Sequence, residues 1–271
     1  MPVDNHLPAI KPQEEESRIT GFIRDTFKQA GKTTAVVAVS GGVDSATSLA
    51  LTARALGPDH VHALLLPSNE SSEQNTADST LLAEFLKIPG RNVHEIGIGA
   101  LQDITKQVLS LYTNTLQDPS LTTARTGNIA ARLRMLILYD QAAAHDALVV
   151  GTENLSEHYL GYFTRFGDEA SDAEPIKHLF KTQVYALAAA LQIPQAIIKK
   201  APSAGLWADQ TDEAELCFSY EQADPILYFH FEKGKKKQEL LKLGFDENLI
   251  EKVLTRCQRV AFKHSVPYHL K

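Results

Sequence analysis

The amino-acid sequence predicts an α/β fold: a doubly wound, mostly parallel sheet flanked by helices, with a helical C-terminal portion. Three observations predict it. Strand-like and helix-like segments alternate over the first 150 residues, the pattern of parallel strands joined by crossover helices. A glycine-rich turn, Ser40-Gly41-Gly42-Val43-Asp44-Ser45, lies between an apolar strand-like run and a helical stretch. After Gly151 the alternation gives way to glycine, charge and aromatic residues through Phe180, and helices resume at Lys181–Leu191 and again after Glu221.

The elements follow in order. Residues 1–12 hold two prolines and little apolar content, and read as a loose lead-in. Ile19, Phe22, Ile23 and Phe27 recur at helical spacing from Pro12 to Ala30, and Gly31 closes that helix. Thr34 to Val39 is the first strand, and Ala46 to Leu56 the helix after the glycine-rich turn, stopped by Gly57-Pro58. Val61 to Leu66 is a second strand, ended by Pro67-Ser68. Glu73 to Lys87 reads as a helix and Asn92 to Ile98 as a third strand. Helices are expected at Ala100–Leu111 and Gly127–His145, then a fourth strand at Ala147–Val150. No linker divides the chain, so residues 1–271 are expected to form one domain.

Composition narrows the class. Of 271 residues, 44% are hydrophobic and 22% charged, ordinary for a globular enzyme with an ample core. A formal net charge of −6 argues against general affinity for nucleic acid or anionic membrane. No apolar run reaches membrane-spanning length, and the acidic start (Glu14-Glu15-Glu16) is the reverse of a secretory signal. Cys217 and Cys257 make neither a disulfide framework nor a zinc site, and the ten histidines show no ligand spacing along the chain. A cytoplasmic location follows as the expectation.

Strand, glycine-rich turn and helix together aim backbone N–H groups and a helix N-terminus at an anion. Gly41 and Gly42 let the backbone approach a phosphate where a Cβ would collide, and Ser40 and Ser45 add hydroxyl donors. Asp44 would repel a phosphate, so its carboxylate makes sense as a Mg²⁺ ligand. The Walker string Gly-x-x-x-x-Gly-Lys-Ser/Thr does not occur. The turn instead resembles the SGGxDS loop of the ATP pyrophosphatase superfamily, which cleaves ATP between its α- and β-phosphates and adenylylates a substrate oxygen.

Later strings narrow the substrate. They are Gly151-Thr152-Glu153 with Glu157, Gly161-Tyr162-Phe163-Thr164-Arg165-Phe166-Gly167-Asp168, Lys181-Thr182, Lys200-Ala201-Pro202-Ser203-Ala204-Gly205-Leu206-Trp207, and Gln210-Thr211-Asp212-Glu213. In this order they resemble the ammonia-dependent NAD synthetase family, over about residues 19 to 268. The resemblance implies ATP-binding roles for Ser40, Gly41, Gly42, Val43, Asp44, Ser45, Thr152, Lys181 and Ser203. It makes Asp44 and Glu157 the Mg²⁺ ligands and assigns catalytic roles to Asp44 and Lys181. Arg132, Arg165, Asp172 and Lys263 match residues that bind deamido-NAD⁺. Arg165 stands where the family often has lysine, and Phe262 where it often has histidine.

The implied reaction is a two-step amidation. The nicotinate carboxylate of deamido-NAD⁺ attacks the α-phosphorus of ATP, and ammonia then displaces AMP from the acyl-adenylate to give NAD⁺. No side-chain nucleophile is required. Only 39 residues precede Ser40 and residue 2 is proline, so free ammonia is the expected donor unless a separate glutaminase chain supplies it. The resemblance further implies a homodimer, with a twofold contact expected through the 100–145 helices, where Ile129, Leu133, Leu136 and Ile137 form an apolar stripe. Residues 204–216 are expected to order around ligand.

Plainer readings stand beside these. Glu157 could be a solvated loop carboxylate, Arg132 and Arg134 a wet helix face, Lys181 the start of an exposed helix, and Trp207 a packing anchor or a lid. Lys233-Gly234-Lys235-Lys236-Lys237 reads as a solvated turn, and alone favours a tRNA-thiolating relative. A GMP-forming amidating relative would lack the 161–168 string. A non-catalytic ATP sensor would not need Asp44 and Glu157 together.

Overall fold

Four parallel strands make the sheet, in the order β3-β2-β1-β4: β1 (Thr34–Ala38), β2 (Val61–Leu65), β3 (Val93–Glu95) and β4 (Ala147–Val150). The structure, a computed structural model, describes residues 6–111, 119–203, 205–207 and 210–265. Residues 1–5 of the expected lead-in, Ala204, Ala208 and Asp209 of the 204–216 segment, and Val266-Pro267 lie outside the described residues. On the central strand Ala35, Val36 and Val37 are wholly buried, because helices cover both faces. That double burial is why these strands read as continuous apolar runs rather than alternating ones.

One face is covered by α1 (Pro12–Ala30) and α2 (Val43–Leu56), which bury Ile23, Phe27 and Leu49. Gly31 ends α1 at φ 66°, the left-handed conformation a glycine adopts at little cost. Next in the chain are α3 (Glu73–Phe85), α4 (Gly99–Ser110), α5 (Pro119–Ala144), α6 (Leu155–Leu160) and α7 (Lys181–Ala190). Helix α7 joins α1 and α2, while α5 covers the opposite face through Ile137, Leu138 and Ala142. The short α8 (Gln195–Ile198) and α9 (Asp212–Leu216) precede α10 (Tyr220–Leu227), α11 (Lys237–Lys242) and α12 (Glu247–Val260). Tyr220, Leu227, Leu240, Ile250 and Val253 of these last three helices build a separate apolar cluster with Leu160 and Phe180. This is the expected helical C-terminal portion. No helix among the described residues is long and apolar enough to cross a membrane.

The chain leaves β1 toward β2 and β3, then returns to place β4 on the other side of β1. The order therefore reverses between β1 and β4, and a crevice opens beyond their carboxyl ends. Ser40–Ser45 follows β1 and Gly151-Thr152 follows β4, so both meet at that crevice.

Several boundaries differ from the sequence reading. Helix α5 starts at Pro119, ahead of the expected Gly127. Gly127 breaks the helical signal, but a Cβ there would lie 3.0 Å from Leu206, so close packing accounts for the glycine. Strand β3 stops at Glu95, although Ile96 and Ile98 still donate to Leu65 and Pro67, because Pro67 has no N–H to return. Helix α6 was not expected, being too short to show a period. Its capping box, Asn154 with Glu157, was nonetheless present in the sequence. The dispersed histidines are not all apart in space: His62, His94 and His145 meet beside the sheet.

Candidate active site

The first turn of α2 begins inside the glycine-rich motif. Gly41 has φ 78°, and a Cβ built on it would lie 2.7 Å from the Asn75 carbonyl oxygen. Both facts demand glycine. The Ser45 hydroxyl donates to the Gly42 carbonyl at 3.1 Å and accepts the Ser40 N–H at 3.2 Å. The hydroxyls of Ser40 and Ser45 are 3.0 Å apart, closing the loop into a rigid cradle.

Lys181, at the first position of α7, is 2% exposed and is the centre of the site. Its Nζ lies 2.5 Å from Asp44 Oδ2 and 2.9 Å from Glu157 Oε1. It also stands over the Tyr220 ring, 5.1 Å from the centroid. Asn154 caps α6 and donates its Nδ2 to Asp44 Oδ1 at 2.9 Å, tying the two carboxylate-bearing helices together. Asp212, 2% exposed, accepts from the Tyr220 hydroxyl at 3.0 Å and acts on the same ammonium. Burial opposes the Lys181 charge, but Asp44, Glu157 and Asp212 outweigh it and hold the lysine well above its ordinary range. Burial pushes Glu157 up to about 8; Lys181 pulls it down, and Asp44 and Asp212 push it further up. Both groups move in the same direction because three carboxylates share one ammonium.

A buried scaffold positions that ammonium. Asp224, fully buried, accepts from Ser156 Oγ at 2.6 Å and from the Thr182 N–H and hydroxyl at 2.9 and 2.8 Å. Ser156 Oγ in turn accepts the Lys181 N–H at 2.9 Å, so α6, α7 and α10 lock around one carboxylate. Burial raises Asp224 to about 6 despite these donors. Beyond the glycine-rich turn, Lys200 donates to the Gly41 carbonyl at 3.1 Å and Asn75 Oδ1 at 3.0 Å, and pairs with Asp78.

These groups line a cavity of about 450 Å³, a size ordinary for a small-molecule site. Ser40, Gly42, Val43, Asp44, Ser45, Thr152, Glu157, Lys181, Ser203 and Lys263 line it, as does Trp207. Lys263 also donates to the carbonyls of Gly161 and Phe163, both at 2.6 Å, and so holds the 161–163 loop. Arg132, Arg165 and Asp172 do not line the cavity. Arg132 is exposed and donates to the Arg165 carbonyl at 3.3 Å, while Arg165 stands 5.6 Å from the Phe262 ring centroid. Asp172 accepts the Val149 N–H at 2.8 Å beside β4.

Sequence reasoning missed several lining groups. Arg134 was paired with Arg132 as a wet face, but two residues along a helix is about 200° of rotation. Arg134 accordingly turns inward, donates to the Leu66 carbonyl at 3.1 Å and lines the cavity. Burial lowers it, with Asp168 and Glu70 opposing. Asp168 stands deep in the molecule with its accessible surface on the cavity, and burial raises it. The roles of Asp224 and Asp78 had no local signal, because their partners lie far away in the chain.

The chain is similar to known proteins over nearly its whole length. It is 38% identical over 255 residues to the NH(3)-dependent NAD(+) synthetase of Fusobacterium nucleatum subsp. nucleatum, covering 94% of each. It is 39% identical over 261 residues to the NH(3)-dependent NAD(+) synthetase of Wolinella succinogenes, covering 96% of each. Among solved structures, NMN synthetase from Francisella tularensis superposes with a TM-score of 0.83 at 31% identity, over 97% of this chain and 99% of that one. NH3-dependent NAD synthetase from Campylobacter jejuni gives a TM-score of 0.79 at 32% identity, over 97% and 100%. The NAD synthase family model matches residues 15–267, and with these relatives it establishes that the chain belongs to the NAD synthase family.

Proposed function

We propose that the chain is a carbon–nitrogen ligase that converts deamido-NAD⁺ to NAD⁺ with ammonia and ATP, through the active site built around Lys181. The observation that carries the assignment is the meeting of Asp44, Glu157 and Lys181 beside the glycine-rich cradle, at the sheet's switch point. In the first step a carboxylate oxygen of the nicotinate bonds to the α-phosphorus of ATP. The bond from that phosphorus to the bridging oxygen breaks, and pyrophosphate leaves. In the second, the ammonia lone pair attacks the acyl carbon, the C–O bond to AMP breaks, and the nitrogen releases one proton.

The chain's part is to align two anions and stabilise the charge that develops between them. Ser40, Gly42 and Ser45 cradle the β- and γ-phosphates, Thr152 and Ser203 contact the nucleotide, and Lys181 meets charge growing on the leaving group. The donor set fits Mg²⁺: two carboxylates offer hard oxygens at one point, with negative charge in excess of the ammonium. Asp44 and Glu157 would hold it, and when bound it supplies neutralisation of the triphosphate and the leaving pyrophosphate.

Arg132, Arg165 and Asp172 need a different place, because they lie outside the cavity. Arg132 and Leu136 are one turn apart on α5, and Leu136 is 59% exposed. On α4, Ile104 is 58% exposed and Val108 49%. An apolar strip of this kind, with a cation beside it, supports a homodimer that extends the dinucleotide site along its edge. Leu136→Asp would then yield monomers by sedimentation and raise the KM for the dinucleotide. A dimer left intact by that change counts against the strip. The same reading places the enzyme in the cytoplasm.

The assay is direct. Purified protein with Mg²⁺, ATP, ammonium and deamido-NAD⁺ yields NAD⁺, AMP and pyrophosphate in equal amounts; ADP and orthophosphate would refute the scheme. The superposition on an NMN synthetase favours a second substrate reading, nicotinate mononucleotide. The two acids compared in one assay separate the readings by kcat/KM, and glutamine in place of ammonium tests the nitrogen donor.

A further inference from the structure

Three imidazoles that play no part in the amidation meet toward the amino-terminal ends of the strands, away from the catalytic crevice. His62 is the second residue of β2, His94 the second of β3, and His145 follows the last residue of α5. In register, His62 is opposite Val36 and His94 opposite Leu64. Val36 and Leu64 belong to the apolar cluster beneath α5, so all three rings sit on the face that α5 covers. Chain separations of 32 and 51 residues hid the group from any spacing argument.

The geometry is that of ligands gathered around a point. His62 Nδ1 and His94 Nε2 are 3.0 Å apart, and one nitrogen from each of the three rings falls within 4.8 Å of the others. The His62 and His145 centroids are 3.9 Å apart, and His94 lies 5.3 and 5.6 Å from them. Nitrogens bound tetrahedrally at about 2.0–2.1 Å are about 3.3 Å from each other. The first pair already meets that spacing, and the third nitrogen has at most about 1.5 Å to travel. Rotation of the stacked rings about their side-chain bonds would turn the lone pairs inward. All three residues are half-buried, which leaves an entry path and a position for water.

We propose that His62, His94 and His145 form a binding site for one divalent transition-metal cation, with Zn²⁺ as its probe. An all-imidazole set selects the borderline metals Zn²⁺, Ni²⁺ and Cu²⁺ over Mg²⁺ and Ca²⁺, which take oxygen. The role is structural. A cation there fastens edge strand β3 and strand β2 to the turn between α5 and β4. That turn has Asp146 at φ 51°, paired with Lys32. Outer-strand mobility is thereby reduced without touching the crevice.

The test uses the full chain, stripped with EDTA, with millimolar Mg²⁺ present to occupy the crevice carboxylates. Zn²⁺ binding is measured by equilibrium dialysis and by melting temperature. Co²⁺ is added separately, because tetrahedral nitrogen ligation gives strong visible bands that carboxylate sites do not. The expected result is one Zn²⁺ per native chain, Co²⁺ bands, and a rise in melting temperature of about 5 °C at a hundredfold excess over Kd. His94→Gln and His145→Gln, checked for folding by circular dichroism, lose the bands and at least about tenfold in affinity. NAD⁺-forming activity without zinc is unchanged in both. Absence of stoichiometric Zn²⁺ on the native chain overturns the proposal whether or not the variants fold. Equal affinity in folded variants, or Co²⁺ without the bands, overturns it too.

Discussion

Lys181 Nζ lies 2.5 Å from Asp44 Oδ2, across 137 residues of chain, and the same ammonium is 2.9 Å from Glu157. Two helix starts, one after β1 and one after the 161–180 loops, are thus joined by a single buried cation. Removal of that cation leaves a cluster of buried carboxylates uncompensated. Lys181→Met is expected to lower kcat/KM at least about 100-fold. It is also expected to cost about 3 kcal/mol of stability in EDTA. Calorimetry with and without Mg²⁺ checks the pairing: Mg²⁺ raises the melting temperature of the variant more than that of the native chain. Equal increments would show that metal and lysine do not share these carboxylates.

Gly41→Ala tests the cradle. The substitution forces a left-handed φ on alanine and drives its Cβ into the Asn75 carbonyl at 2.7 Å. The expected cost is about 1–3 kcal/mol, with the loop displaced enough to reduce kcat/KM for ATP about 100-fold. Steady-state kinetics with varied ATP, beside a thermal melt, reads both.

Lys200 reaches the same loop from the far side, through the Gly41 carbonyl, Asn75 and Asp78. Lys200→Met removes this tie without touching Lys181 or its carboxylates. The KM for ATP rises about tenfold and kcat changes little, because loss of one charge-assisted hydrogen bond is worth about 1.4 kcal/mol here. A fall in kcat alone would place Lys200 in the chemistry instead.

Asp224→Asn presents an amide donor where three donors already converge. The expected loss is about 2–3 kcal/mol. Because Ser156 then loosens its hold on the Lys181 N–H, kcat falls with it. Asp224→Ala with unchanged denaturation midpoint would contradict the scaffold role.

Glu174 sets a pH dependence of stability. It accepts the Glu153 N–H at 3.1 Å and the Ser171 hydroxyl at 2.7 Å. Burial, and then the Glu153 carboxylate, push it up to about 8 from an ordinary 4.5, against the pull of the hydrogen bonds and Lys177. A raised acid stabilises the folded state fully below its unfolded value, and that contribution is lost as pH rises through about 8. Glu174→Gln keeps both acceptor and donor capacity and does not ionise. Its melting temperature is therefore expected to decline less between pH 5 and 9, by about 4 °C relative to the native chain. Parallel profiles would remove Glu174 as the cause.

The elements with strong local signals were legible. Thr34–Ala38 and Val61–Leu65 are apolar because both faces of the sheet are covered, and Ser40–Ser45 declares its turn through glycines that no other residue can replace. Helix α6 was missed at six residues, since a helix of under two turns shows no period, although Asn154 and Glu157 carried its cap. The start of α5 was missed because Gly127 serves Leu206 rather than the helix.

The site divides along the same line. Residue order alone revealed which groups have nucleotide chemistry: Ser40, Asp44, Thr152, Glu157 and Lys181 stand in strings whose types and spacings suit an anion and a hard cation. Their convergence on one ammonium, the hidden support from Asp224 and Lys200, and the inward turn of Arg134 beside the outward Arg132 came from folding. So did the gathering of His62, His94 and His145. Local propensity and short motifs are encoded within a few residues, whereas hydrogen-bond partners 68 or 122 positions apart are chosen only when strand order brings them together.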